Sequence, residues 1–362
     1  MTPPAHVEVA PPGSLPYRIT IGAGLAARIE APLAEAGTGR HLAIVSSPRV
    51  WQAVRERLSG TLTSGEPILM PDGERHKHLT AVSRIYDGLL QARVDRATTV
   101  VAVGGGVVGD TAGFAAATFL RGLALVHVPT TLLAQVDSAI GGKVGVNHAK
   151  GKNLIGAFHQ PRAVVVDPLL LGTLARREFR AGLYEVIKYG VIASPALFER
   201  VGARLEAVFE REPSALEPIL AECCAIKAGV VQRDEREQGE RRTLNFGHTA
   251  GHALEAMTRY QRFLHGEAVG LGMMAATALA TARGALPRDA HEALVHLITQ
   301  LGPLPPVADL AADEAVAMMR RDKKVLGGRL HFVLPVAIGR TEVVDDVTEG
   351  ELTRALRRIG LK

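Results

Sequence analysis

At 362 residues the chain exceeds the size at which one hydrophobic core keeps growing, so two domains are expected. A content that is 47% hydrophobic but only 4% aromatic, with 38 glycines, suits an Ala/Val/Leu/Gly-rich α/β enzyme and argues against a disordered or fibrous chain. The formal charge of +5 is not a nucleic-acid footprint, because no Lys/Arg run exceeds two residues and tracts such as Asp234–Arg242 mix both signs; it is a bias toward small anionic substrates.

In chain order, Met1–Pro16 is Pro-rich and lacks the basic start and apolar core of a signal peptide, so it reads as a tail. Tyr17–Ile21 reads as a strand and Leu25–Ala36 as a helix. Leu42–Val45 is a strand ending at Ser46-Ser47-Pro48, with a helical segment behind it to Leu58. Ile68–Met70 precedes a helix at Leu79–Gln91, and Thr99–Val103 precedes another at Val107–Phe119. Leu123–Val128 and Ala163–Val166 are further strands. Such short runs, apolar on both faces, predict a mostly parallel sheet covered by helices on each side.

From Pro168 onward Ala/Leu/Glu/Arg-rich helical spacing dominates, apart from a small hairpin expected at Arg329–Val336 with Val343–Val344. The expected division is therefore an α/β nucleotide-binding domain over 1–167 and a mainly helical domain over 168–362, with the cleft between them as the default site. Cys223 and Cys224 are the only cysteines and are adjacent, which argues against a disulfide framework and for the cytosol. The apolar run Val269–Ala282 falls short of the ~18 to 20 residues that a membrane span needs and is read as a buried helix.

Gly104-Gly105-Gly106-Val107-Val108-Gly109-Asp110 follows a strand and opens a helix, so its backbone N–H groups can approach a pyrophosphate at the helix N-terminus. It departs from the usual dinucleotide fingerprint in not following the first strand and in lacking an acid ~20 residues on. A tight turn that only packs helix on strand, with Asp110 complementing the helix dipole, is the alternative. After the strand at Leu123–Val128 come Pro129-Thr130-Thr131, where Thr130 is expected to cap the next helix, and then Asp137. Lys143, behind Gly141-Gly142, and Lys152-Asn153, behind Gly151, place two lysines on glycine-flexed loops as phosphate or carboxylate ligands.

Glu185 and Lys188 lie at i and i+3 on one helix face among Leu183, Tyr184, Val186, Ile187 and Tyr189, which predicts burial; a buried carboxylate wants a cation or a metal. Farther on, His248 and His252 stand at i and i+4, a turn apart on one face, so both imidazoles can reach one cation. His265 follows after a turn around Thr258–Arg262. Three protein ligands with an open position is the pattern of a catalytic metal, and spacing leaves open which residues complete it.

In order along the chain, Asp72-Gly73-Glu74 with Lys77, the Gly104–Asp110 turn, Pro129–Lys143, Gly151–Gly156, Glu185–Lys188, Arg241–His252, His265-Gly266-Glu267 and Asp322-Lys323-Lys324 resemble the 3-dehydroquinate synthase family over nearly the whole length. The resemblance implies a homodimer with NAD held by the N-terminal domain and a divalent metal, zinc foremost and cobalt as the alternative, held by the C-terminal one. It implies Glu185, His248 and His265 as metal ligands and moves His252 out of the metal's shell, to proton transfer or substrate orientation. It implies Lys143, Lys152, Lys188 and Asn245 beside His252 as catalytic groups, and Asp137, Asn153, Lys227, Arg241 and Lys324 as substrate-binding ones. Arg121 is implied to reach the neighbouring subunit's phosphate pocket. Cofactor contacts are implied for Asp72, Glu74, Lys77, Gly105, Gly106, Gly109, Asp110, Thr130, Thr131, Lys143, Lys152 and Thr173.

The implied substrate, 3-deoxy-D-arabino-heptulosonate 7-phosphate, carries a carboxylate and a phosphate. The implied reaction is a transient NAD-dependent oxidation, phosphate elimination, reduction and aldol closure. Two rivals share the expected architecture: a sister sugar-phosphate cyclase acting on sedoheptulose 7-phosphate or glucose 6-phosphate, and a metal-dependent polyol dehydrogenase. Lys227, Arg241 and Asn245 favour the 3-dehydroquinate synthase family over both rivals, since a substrate without a carboxylate gives little reason to gather two cations and an amide.

Overall fold

The computed structural model describes residues 3–38, 41–321, 325–326 and 329–362. The chain divides into two compact units, Met1–Phe179 with Glu206–Glu235, and Arg180–Leu205 with Arg236–Lys362. No helix among the described residues is long and apolar enough to cross a membrane.

Strands of the first unit are β1 (Ala5–Val9), β2 (Tyr17–Ile21), β3 (Leu42–Ser46), β4 (Ile68–Leu69), β5 (Thr99–Gly104), β6 (Ala124–Pro129), β7 (Lys143–His148), β8 (Gly151–Phe158) and β9 (Ala163–Val166). Seven of them form one sheet in the order β1-β2-β9-β6-β5-β3-β4. Only the β1–β2 pairing is antiparallel. The apolar runs act as expected of a sheet covered on both faces: successive side chains of β5 point to opposite sides. Val100 and Ala102 join a core with Ile85, Leu89, Ala112 and Ala116, while Val101 and Val103 join another with Leu33, Val126 and Val128.

Two expectations need correction here. The N-terminal segment is not merely a tail, since Ala5–Val9 pairs with β2. Leu25–Ala36 is not one helix but a 3-10 turn at Ala26–Arg28 followed by an α-helix at Glu30–Glu35.

Strand addition runs from β3 outward to β4 and then resumes on the other side of β3 with β5 and β6. That reversal is the switch point at which open α/β sheets leave a crevice at the carboxyl ends of their strands. The glycine turn after β5 falls there.

His127, on β6, is buried against the helix Gly106–Thr118, and its Nδ1 lies 3.4 Å from where a Cβ on Gly109 would stand. Burial, aided by the charge of nearby His159, holds its pKa down to about 4 from 6.5. A basic group depressed on folding binds its proton in the unfolded chain first, so its share of stability is complete above pH 6.5 and lost as the pH falls toward 4. Over that window the loss should be roughly 3 kcal/mol. Urea unfolding followed against pH should show this limb, and His127→Gln should flatten it; an unchanged slope in the variant would assign the limb to other groups.

The second unit is mainly helical, with Arg180–Leu205 contributing most of the helix Arg176–Ala193, followed later by His248–Met257, His265–Ala282, Arg288–Gln300, Ala312–Arg321 and Glu349–Arg358. The expected C-terminal hairpin is present as Phe332–Ala337 paired with Arg340–Val344. Val269–Ala282 lies within a helix whose apolar residues are buried, as expected. Glycines let its helices approach at backbone distance. A Cβ on Gly266 would collide with the Ala181 carbonyl oxygen, and one on Gly272 with that of Gly247. The His265–Ala282 helix is thereby drawn against both the Arg176–Ala193 helix and the start of His248–Met257, which is what brings Glu185, His248 and His265 into one place.

Candidate active site

In the first unit, the residues expected to hold a cofactor sit at the carboxyl ends of parallel strands. Asp72, Glu74 and Lys77 follow β4, Gly105 to Asp110 follow β5, Thr130 and Thr131 follow β6, and Thr173 follows β9. The helix Gly106–Thr118 starts at the glycine turn, so its first N–H groups and the positive end of its dipole face outward from the strand end. The turn is tightly built: a Cβ on Gly105 would stand 2.8 Å from Thr131 Cγ2, and one on Gly106 3.1 Å from Ser138 Oγ. Asp110 does not simply complement the dipole. It accepts from the buried Lys77 Nζ at 2.5 Å, and the same Nζ donates to Asn153 Oδ1 at 2.7 Å. Burial works against the charge on Lys77, but the Asp110 and Glu74 carboxylates outweigh it and raise its pKa.

Thr130 was expected to cap the following helix, and Thr131 does so instead: its Oγ1 accepts from the Ala134 N–H at 3.2 Å. Thr173 is exposed and donates to the Leu170 carbonyl at 3.1 Å. Asp72 accepts from the Arg49 N–H at 3.3 Å, beside the end of β3.

Lys143, Lys152 and Asn153 are not on loops. They lie on the antiparallel hairpin β7–β8, where Gly145 stands opposite Gly156 and only glycines allow so close a pairing. Asn147, which the sequence reading missed, organises this region. Its side chain donates to Glu74 Oε1 at 2.8 Å and accepts from the Asn153 N–H at 2.9 Å, while its own N–H donates to the Lys77 carbonyl at 2.7 Å. These contacts hold Asn153 at a left-handed φ of 50°. Asn147 lies within β7, where the ladder to β8 shifts register between Val146 and His148. Lys227 is buried in the first unit and donates to both the carbonyl and the Oδ1 of Asp137 at 2.6 Å. Arg121 is exposed, with φ 68°.

In the second unit, Glu185 and Lys188 form the expected i, i+3 pair, with both side chains buried. Among the described residues, Glu185 Oε1 has no hydrogen-bond donor. Instead it faces His248 Nε2 at 3.5 Å and His265 Nε2 at 3.6 Å. His248 Nδ1 lies 3.1 Å from the Phe246 carbonyl oxygen, which can only accept, so the proton belongs on Nδ1 and the Nε2 lone pair is left for another partner. His265 shows the same arrangement toward a carboxylate, with Nδ1 3.3 Å from Glu255 Oε2. A buried, donor-free carboxylate oxygen between two imidazole lone pairs is unstable without a cation, and the set O, N, N suits Zn2+ or a similar divalent ion.

His252 is close as well: nitrogens of His248, His252 and His265 lie within 4.8 Å of one another. Two overlapping triads therefore share His248 and His265 and differ in Glu185 or His252. The start of the His265 helix is fixed by Glu267, whose Oε2 accepts from the Leu264 N–H at 2.9 Å and whose Oε1 accepts from Arg180 at 3.3 Å. Arg241 is buried on a 3-10 turn, and Asn245 Nδ2 donates to Glu237 Oε1 at 2.7 Å. Lys323 and Lys324 lie outside the described residues.

Residues 67–181 match the 3-dehydroquinate synthase N-terminal family and residues 182–325 the 3-dehydroquinate synthase C-terminal family. The 3-dehydroquinate synthase of Azotobacter vinelandii is 46% identical over 95% of this chain and 94% of its own length. Two solved structures are similar over nearly their whole length. One is the 2-epi-5-epi-valiolone synthase of Streptomyces hygroscopicus subsp. jinggangensis with NAD+ and Zn2+ bound, with a TM-score of 0.87 at 28% identity over 97% of this chain and 98% of that one. The other is a 2-deoxy-scyllo-inosose synthase complexed with carbaglucose-6-phosphate, NAD+ and Co2+, with a TM-score of 0.85 at 25% identity over 98% and 99%. The strand-end residues after β4 that were expected to hold a cofactor and the cluster of Glu185, His248 and His265 all fall inside the spans matched by the two halves of one enzyme, and the chain belongs to the 3-dehydroquinate synthase family.

Proposed function

We propose that this chain converts 3-deoxy-D-arabino-heptulosonate 7-phosphate to 3-dehydroquinate and inorganic phosphate, the shikimate-pathway step that feeds aromatic amino acid synthesis. The observation that carries this reading is 46% identity over nearly the full length to an enzyme of that name, against 28% and 25% to the sister cyclases.

NAD+ and a divalent cation, Zn2+ or alternatively Co2+, supply when bound a hydride acceptor that is restored within the turnover and a charge that acidifies a substrate hydroxyl. Glu185, His248 and His265 hold the cation. Lys188, paired with Glu185 inside the protein, fixes that carboxylate's position. The glycine turn with Gly105, Gly106 and Gly109, the Lys77–Asp110 pair, Asp72, Glu74, Thr130, Thr131 and Thr173 hold the nucleotide, a role supported by their position at strand ends. Lys143 and Lys152 serve both nucleotide and substrate. His252 and Asn245 orient the substrate and handle protons, and Asp137 and Asn153 accept from or donate to its hydroxyls. Lys227 and Arg241 pair with its carboxylate, and Lys324 with its anionic groups. In this reading residues 1–167 are the nucleotide-binding part and residues 168–362 the metal- and substrate-binding part. The enzyme works as a cytoplasmic homodimer, with Arg121 reaching the phosphate pocket of the second copy; the buried thiols of Cys223 and Cys224 suit a reducing compartment.

Substrate and product stand at the same net oxidation level, so the nucleotide is recycled. With Zn2+ and NAD+ far below the substrate concentration, phosphate should appear over many turnovers with no matching rise in NADH absorbance. NADH formed in proportion to phosphate would replace this reading with a dehydrogenase.

A further inference from the structure

We propose that Glu255 is a positioning residue for the metal centre, fixing through His265 which ring nitrogen faces the cation. The proposal rests on the assignment of His265 as a metal ligand and extends it to a side chain that does not touch the ion. Glu255 lies on the His248–Met257 helix, two turns beyond His248 and on the same face as His252, and it is buried. Its Oε2 is 3.3 Å from His265 Nδ1, while His265 Nε2 points to Glu185 Oε1 at 3.6 Å.

The two ligand histidines thus solve one problem with different groups. His248 is oriented by the backbone carbonyl of Phe246, which comes with the chain's own turn. His265 is the first residue of its helix and partly exposed, and its Nδ1 faces a carboxylate from another helix. A carboxylate accepts the Nδ1 proton, sets the tautomer that presents Nε2, and raises the basicity of that nitrogen toward a cation. Glu255 is itself held in place by its backbone, whose carbonyl accepts from the Tyr260 N–H at 2.7 Å and closes the turn leading to His265.

The test is a titration of the full-length, metal-stripped protein with Co2+, reading affinity from the visible spectrum with no substrate present. Glu255→Ala should weaken Co2+ binding by up to about 100-fold and change the intensity of the ligand-field bands, with the far-UV circular dichroism unchanged. Glu255→Gln keeps an acceptor and loses the charge, so its loss should be smaller, about tenfold. It also fills the same space, and serves if the alanine variant does not fold. Wild-type affinity and spectrum in Glu255→Gln would overturn the proposal. A His265→Ala control separates the two levels: if it loses Co2+ while both Glu255 variants bind normally, only the positioning role fails. If it binds like wild type, the ligand assignment fails and the proposal falls with it.

Discussion

Glu185→Gln and His265→Ala should each empty the metal site and lower turnover by roughly 10³-fold, while His252→Ala keeps its metal. The charge supplied by a catalytic cation is worth several kcal/mol in the transition state, and each 1.36 kcal/mol is a factor of ten. Glu185 and His265 are proposed to touch the ion, and the donor-free Oε1 of Glu185 beside two imidazole nitrogens is the observation behind that choice. Glutamine is preferred to alanine at Glu185 because it fills the same volume. Even so, it removes the counter-ion of buried Lys188, and breaking a buried pair costs about 3–5 kcal/mol of stability. Thermal unfolding of each variant therefore belongs beside its metal content. A metal-free His252→Ala with a metal-replete Glu185→Gln would choose the three-histidine set instead.

Arg241→Met should lower kcat/KM for the heptulosonate phosphate by about 10- to 100-fold with metal content intact. A charge-assisted hydrogen bond contributes about 1.5 to 3 kcal/mol, which converts to one to two orders of magnitude. Arg241 is buried, where water competes little with an anion for the guanidinium. Lys227→Met should act similarly. Lys227 also holds Asp137, so part of its loss should appear as lowered stability, whereas Arg241→Met should show its loss mainly in KM if the carboxylate is bound equally in ground and transition states. Wild-type kinetics in both variants would remove the carboxylate assignment.

Much of the fold was legible in the residues. The apolar runs of β5, β6 and β9 are covered on both faces, so sequence and environment agree there and the strands fall where periodicity put them. The hairpin β7–β8 was not legible, because its glycines and exposed polar residues are those of a loop, and the pairing is made by two glycines meeting across the ladder. Ala5–Val9 hid for a similar reason, since its proline-rich flanks read as a tail and only the β2 edge makes it a strand. At the metal cluster, His248 and His252 announce themselves by spacing, but the choice between His252 and Glu185 is tertiary. It depends on helices that approach through Gly266 and Gly272, contacts that no local pattern encodes. Glu255 was within reach of the same helical spacing and went unread because acidic residues on helices are usually solvated.

The central claim is the substrate, and one comparison tests it most directly: turnover of 3-deoxy-D-arabino-heptulosonate 7-phosphate against sedoheptulose 7-phosphate by the wild type at equal metal and NAD+ loading. The heptulosonate phosphate should be converted to 3-dehydroquinate with release of phosphate, and the carboxylate-free sugar should react at least ~10²-fold more slowly, because Lys227 and Arg241 are then left without the anion they are proposed to bind. Equal use of the two sugars, or faster use of sedoheptulose 7-phosphate, would contradict the assignment.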